Sequence, residues 1–197
     1  MSQRRLALVA IVSCVGALLL ISMTTPSRHS VSRRPRASAV KTGFLAGDHA
    51  PDFELHSLDG RTMKLSGFRG HPVILNFWAT WCAPCRVETP WLVQLDRRYR
   101  ANGVQILGVS LDDVGSEQAV ATFNKEQGIH YPVLLGNSSV ADAYGGVRFM
   151  PQSFFIDGEG AIKKTTVGMT DKEELDNNVQ ELLTTSNRLS QLLPGRD

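Results

Sequence analysis

Val73-Ile74-Leu75-Asn76-Phe77-Trp78-Ala79-Thr80-Trp81-Cys82-Ala83-Pro84-Cys85 decides the fold of this 197-residue chain. Its first six residues have the length and composition of a buried strand. A helical stretch follows from Arg86 to Arg100, with apolar Val87, Trp91, Leu92, Leu95 and Tyr99 at helix-like spacing. The two cysteines therefore sit where a strand turns into a helix. A helix start offers unpaired N–H groups and a partial positive charge. Both favour a thiolate, the nucleophile of disulfide exchange. Cys82 comes first and is expected to be the more exposed, attacking sulfur. Cys85 lies about one turn further in and is expected to resolve the mixed disulfide. Pro84 suits a first helical turn, where its missing N–H costs nothing.

A C-x-x-C pair also occurs as half of a zinc site or as an inert structural disulfide. Zinc needs a second pair or a Cys/His set. The only other cysteine, Cys14, lies in an apolar N-terminal run, and no histidine stands at ligand spacing to the pair. Strand, C-x-x-C, helix is the redox pattern.

The Trp81-Cys82-Ala83-Pro84-Cys85 motif after Asn76-Phe77-Trp78 resembles the thioredoxin superfamily. Ala50-Pro51-Asp52-Phe53-Glu54-Leu55, Asp59-Gly60, Leu65 and Gly70 are similar to its TlpA/ResA-like branch of membrane-tethered thiol-disulfide oxidoreductases. The likeness runs from about Gly47 to Leu183. It implies an α/β thioredoxin-like three-layer sandwich, a central mixed sheet flanked by helices, with an N-terminal β-hairpin extension. It also implies an enzyme that reduces protein disulfides without a cofactor, acting on exported proteins such as apocytochrome c before haem attachment and drawing on a membrane or soluble electron donor. Trp81, Pro84, Met150 and Pro151 would contact the substrate. Pro151 would be cis, facing the C-x-x-C and leaving the Met150 backbone free to pair with an incoming peptide. Gln152-Ser153 departs from the more usual Thr-Thr, and no role is assigned to those side chains.

Asn76 occupies the place where thioredoxins carry a buried Asp that helps proton transfer. Glu88, three residues after Cys85 on the same helix side, is the candidate replacement, and a glutamate is frequent there in the resembled branch. A partly buried carboxylate there would take and return the proton as Cys85 attacks. The alternative is a first-turn acid that satisfies the helix dipole.

The net charge of +2 hides an asymmetry. Residues 1–41 hold seven Arg/Lys and no acid, and the remainder holds 14 basic against 19 acidic residues, −5. The basic balance thus belongs to the N-terminal segment, and no nucleic-acid partner follows from it. Leu6 to Met23 is eighteen residues without a charge, flanked by Arg4-Arg5. Eighteen is near the lower limit for a membrane span and long for a signal-peptide apolar region. The expected organisation is a membrane anchor at 1–23, a flexible basic linker at 24–46 rich in Ser, Arg and Pro, and a thioredoxin-like domain at 47–197. The positive-inside count, two arginines before the run and five basic residues after it, points to a cytosolic domain. The resemblance points to the extracytoplasmic, periplasmic side, which is the expectation adopted. An organelle transit peptide is the remaining alternative for the acid-free start.

Further along, Phe53/Leu55 and Met63/Leu65 alternate around the Asp59-Gly60 turn, a hairpin pattern. Val104–Ser110 reads as the next buried strand. Ser116 is the expected cap of a helix to Gln127, and Ser138 or Ser139 of a short helix to Tyr144. Ser153–Ile156 and Ala161–Val167 flank a turn, and Thr170-Asp171-Lys172-Glu173 reads as a capping box for the last helix. Two other functions compete. Peroxiredoxins share Ala50-Pro51-x-Phe53 but need Thr or Ser three residues before the cysteine, where this chain has Ala79. Copper-delivery relatives use a wider cysteine spacing and a histidine ligand, and His130 is the residue to test. No histidine stands between the two cysteines, which implies a reductant or a mild exchanger.

Overall fold

The chain alternates strand and helix around β3, Val73–Trp78, all six of whose residues are buried. A strand buried on both faces must lie inside a sheet covered on both sides. In the computed structural model, which describes residues 46–192 (side chains to 185), β3 lies between a parallel and an antiparallel neighbour. The order of elements is β1 (Glu54–Ser57), β2 (Thr62–Lys64), β3, α1 (Ala83–Tyr99), β4 (Gln105–Ser110), α2 (Glu117–Glu126), β5 (Val133–Leu135), α3 (Ser138–Ala143), β6 (Gln152–Ile156), β7 (Ile162–Val167) and α4 (Lys172–Leu192). The sheet runs β2-β1-β5-β4-β3-β6-β7, mixed and seven-stranded among the described residues. The fold is the expected thioredoxin-like sandwich with its N-terminal hairpin, β1 pairing β2 antiparallel with Leu55 opposite Met63. The anchor and linker expected over 1–46, Cys14 included, lie outside the described residues except for Ala46. Among the described residues no helix is long and apolar enough to cross a membrane.

Period-two alternation sorts β3 between two cores. Ile74 and Trp78 join Leu92, Leu95, Ile106, Phe123, Leu175 and Val179 on the face covered by α1, α2 and α4. Leu75 and Phe77 join Leu107, Val109, Phe154, Val140 and Tyr144 on the face covered by α3. Asn76 shares the parity of Ile74 and Trp78. A polar side chain is thereby pointed at α1, and it is 2% exposed.

Several boundaries differ from the sequence expectation. Helix α1 starts at Ala83 rather than Arg86, so Cys85 is already helical. Val87, expected on the apolar stripe, is 51% exposed, because the buried face runs through Cys85, Glu88, Leu92, Leu95 and Tyr99. The caps move as well. Asn137, not Ser138 or Ser139, caps α3 by accepting the Val140 N–H at 3.0 Å. Asp171, not Thr170, caps α4 by accepting the Glu174 N–H at 2.8 Å. The Ser116 side chain makes no capping bond. At α3 and α4 an Asx side chain one residue away reaches the orphan N–H instead.

Gly108 in β4 is opposite Asn76 in register. A Cβ there would stand 2.9 Å from Trp78 Nε1 and 3.2 Å from Tyr131 Cε2. Trp78 is 2% exposed and stacks on Phe123 at 4.5 Å between ring centroids, so it has nowhere to retreat. Gly108→Ala should lower the unfolding free energy by about 1–3 kcal/mol. Urea titration checks this, and an unchanged midpoint would show that the indole has room to shift.

Candidate active site

The site is built where β3 ends and α1 begins. Cys82 is the N-cap residue of α1, in extended backbone conformation, and Pro84 sits in the first turn. Cys82 and Cys85 are joined by a disulfide with Cα atoms 5.3 Å apart. Cys82 Sγ accepts the Cys85 backbone N–H at 3.2 Å. The attacking-sulfur candidate therefore lies on the orphan N–H groups and the positive end of a seventeen-residue helix. Cys82 is 5% and Cys85 1% exposed, so the expected order of exposure holds, although both sulfurs lie deeper than the sequence alone implied.

One turn along α1, Glu88 is 1% exposed. It is no surface acid at the helix dipole. Asn76 Nδ2 donates to Glu88 Oε2 at 3.2 Å and to Ser153 Oγ at 2.9 Å, and the Thr170 N–H approaches Glu88 Oε1 at 3.5 Å. Strand β3 and the turn before α4 thus converge on the carboxyl group that α1 carries, and β6 reaches it through Asn76. Burial pushes the Glu88 carboxyl up to about 7, against the lowering effect of the Thr170 and Asn76 donors. Burial also pushes the Tyr131 phenol up, with Asp96 and Glu88 adding to it. Ser153, given no role from sequence, proves to orient the amide that orients Glu88. Only the pairing of Asn76 with Ser153 in the β3/β6 register reveals it.

The Met150–Pro151 peptide bond is cis. Gln152 pairs with Phe77, so Pro151 precedes the β6 residue nearest the outgoing end of β3. Pro151 is buried and its carbonyl accepts the Gly168 N–H at 2.8 Å; Met150 is half-buried against the core that holds both cysteines. Trp81 is 69% exposed and Pro84 is exposed. The same end of the sheet carries Phe149, Val167 and Met169, also large, apolar and exposed. Sequence reasoning missed these three, because nothing in their own neighbourhoods marks them. The β6/β7 register, which sets Val167 opposite Gln152, brings them to this end.

Residues 46–165 match the AhpC/TSA family. The chain belongs to the AhpC/TSA family. Within it the chain is a ResA-like thiol-disulfide oxidoreductase. It is 36% identical over 143 residues to the thiol-disulfide oxidoreductase ResA of Geobacillus thermodenitrificans, covering 72% of this chain and 80% of that one. A solved thiol:disulfide interchange protein of the thioredoxin family from Chlorobium tepidum is 31% identical with a TM-score of 0.64, over 72% of this chain and 99% of that chain. A secreted thiol-disulfide isomerase from Corynebacterium glutamicum is 26% identical with a TM-score of 0.64, over 71% and 91%. An AhpC/TSA match alone does not separate disulfide exchange from peroxide reduction. The Cys82–Cys85 pair and the ResA likeness do, and Ala79 holds the position where a peroxidatic site needs a hydroxyl. Among the described residues no group of three or more His, Cys, Asp and Glu side chains is placed to hold a metal ion. His130 precedes β5, which runs parallel to β4 and β3, so it lies at the far end of the sheet from the cysteines, 3.1 Å from Arg97.

Proposed function

We propose that this chain reduces disulfides of exported proteins, with Cys82 attacking, Cys85 resolving and Glu88 carrying the proton. The observation that carries this reading is the Cys82–Cys85 disulfide at a helix N-terminus, one turn from a buried carboxyl group that burial pushes up to about 7. In the first step the Cys82 thiolate forms a bond to one substrate sulfur and displaces the other as a thiolate. Cys85 then gives its proton to Glu88 and attacks Cys82 Sγ, releasing the second substrate thiolate. The substrate gains two electrons and the chain is left as the Cys82–Cys85 disulfide. A second dithiol, the electron donor, reverses these steps on the chain. Trp81, Pro84, Met150 and Pro151 would form the substrate contact, and Phe149, Val167 and Met169 extend it as an apolar rim.

The proposed setting is extracytoplasmic, tethered by Leu6–Met23. The uncharged run supports the tether and the secreted relative supports export. Apocytochrome c and other exported cysteine proteins are the substrate class. The chain as expressed in cells should start near Met1, and its domain should be cut by protease added outside the cytoplasmic membrane. A mature start near Val40, or a domain cut only after that membrane is broken, overturns the setting. The purified chain should reduce insulin with a dithiol donor and leave peroxide unconsumed. The opposite pair of results overturns the activity.

A further inference from the structure

Between β3 and Cys82 the chain makes a single turn, closed by the Cys82 N–H donating to the Ala79 carbonyl at 3.1 Å. The turn is also held from outside, at Thr80. The Thr80 N–H lies 3.2 and 3.0 Å from the two carboxylate oxygens of Asp112, and its hydroxyl donates to Asp112 Oδ1 at 2.5 Å. The Thr80 carbonyl accepts Arg86 Nε at 3.1 Å. All three polar groups of Thr80 are therefore engaged by side chains beyond the loop.

Both anchors are themselves fixed. Ser110 Oγ donates to Asp112 Oδ2 at 2.7 Å and accepts the Asp112 N–H at 3.2 Å. Ser110 is the last residue of β4, 2% exposed and opposite Trp78. The Arg86 guanidinium lies 4.9 Å over the Phe123 ring, with Nη1 3.9 Å from Glu126, so α2 holds it. Charge-assisted bonds of this kind are stronger than neutral ones. The residue directly after Thr80 is the exposed Trp81, and the next is Cys82.

We propose that Asp112 is a positioning residue of disulfide exchange: its carboxylate fixes Thr80 and so sets where Trp81 and the Cys82 sulfur stand when a substrate disulfide arrives. Asp112 makes no proton transfer in this scheme, because its oxygens are occupied by Thr80 and Ser110. Exchange requires the attacking sulfur to be in line with the bond it breaks. A misplacement of about 1 Å in such a geometry costs up to about 10²-fold in rate. The inference rests on Cys82 being the attacking sulfur.

The test is a double-mutant cycle on the full chain, reading kcat/KM for insulin reduction. Asp112→Ala should lower it about tenfold. Thr80→Val, which removes only the hydroxyl bond, should lower it about threefold. The double variant should be no slower than Asp112→Ala alone, because the two changes break one connection. Asp112→Asn keeps an acceptor for Thr80 without the charge and should recover to within about threefold of wild type. An Asp112→Ala rate within twofold of wild type, additive effects in the cycle, or an Asn variant as slow as the Ala variant overturns the proposal. Circular dichroism checks that each variant folds. If Asp112→Ala does not, Thr80→Val and Asp112→Asn decide, and a wild-type rate in Thr80→Val overturns it. Trapping in the Cys85→Ser background reports separately which sulfur attacks. An adduct through Cys82 that forms more slowly in Asp112→Ala supports the inference. Trapping that needs Cys85 instead removes the premise, whatever the Asp112 variants do.

Discussion

Cys82→Ser should abolish disulfide reduction, a loss on the order of 10³-fold or more, as expected for removal of a nucleophile. Cys85→Ser should keep the first step and lose the second, so mixed disulfides with partner proteins should accumulate through Cys82. The asymmetry has a structural cause. Cys82 Sγ accepts a backbone N–H at 3.2 Å at the helix start, where a thiolate is stabilised. Cys85 is inside the helix and 1% exposed, with no surface on which to meet a protein disulfide. Non-reducing electrophoresis and peptide mapping of the trapped adducts check this. Adducts that accumulate in Cys82→Ser instead would reverse the roles.

Glu88→Gln should slow exchange by about 10- to 100-fold, the range expected when a positioned proton acceptor of suitable pKa is lost. It should also lower the apparent thiol pKa, because a carboxylate no longer opposes the thiolate. Iodoacetamide alkylation of the reduced chain against pH, with wild type and variant side by side, reads the second effect. Superimposable profiles and equal insulin-reduction rates would leave Glu88 with a structural part only. A stability measurement gives an independent sign. Burial raises the folded-state pKa of Glu88 from 4.5 to about 7. The folded state therefore holds this proton more tightly than the unfolded chain does. Its contribution is fully present below pH 4.5 and is lost as pH rises through 7. Wild type should thus lose up to about 3 kcal/mol relative to Glu88→Gln between those limits. Urea unfolding of both proteins at pH 5 and pH 8 measures the difference. A gap that does not change with pH would mean that water reaches the carboxylate and keeps it ionised.

Much of the architecture was legible because local patterns and the global fold agree. Six consecutive apolar or small polar residues before a C-x-x-C can be satisfied only inside a covered sheet, and β3 spans Val73–Trp78 as read. The hairpin followed from alternation around Asp59-Gly60, and Gly60 takes the φ of 82° that the turn requires. Helix starts were less legible. Asn137 and Asp171 compete with neighbouring serines and threonines for the same orphan N–H groups, and the winner depends on where the chain enters the turn.

The chemistry divides in the same way. Sequence by itself determined the redox pair, its place at a strand-to-helix junction, and the candidacy of Glu88, because these depend on spacing along one segment. It left Glu88 open between a surface acid and a buried one. Tertiary structure decided for burial, because Asn76 on β3 and Thr170 before α4 close on it from 12 and 82 residues away, with Ser153 on β6 holding Asn76. It alone brought Phe149, Val167 and Met169 to the end of the sheet that carries Trp81, and Asp112 to Thr80 across 32 residues. A side chain's pKa and a loop's position depend on what surrounds them in space. Where the surroundings come from four separate elements, no local pattern in the chain records them.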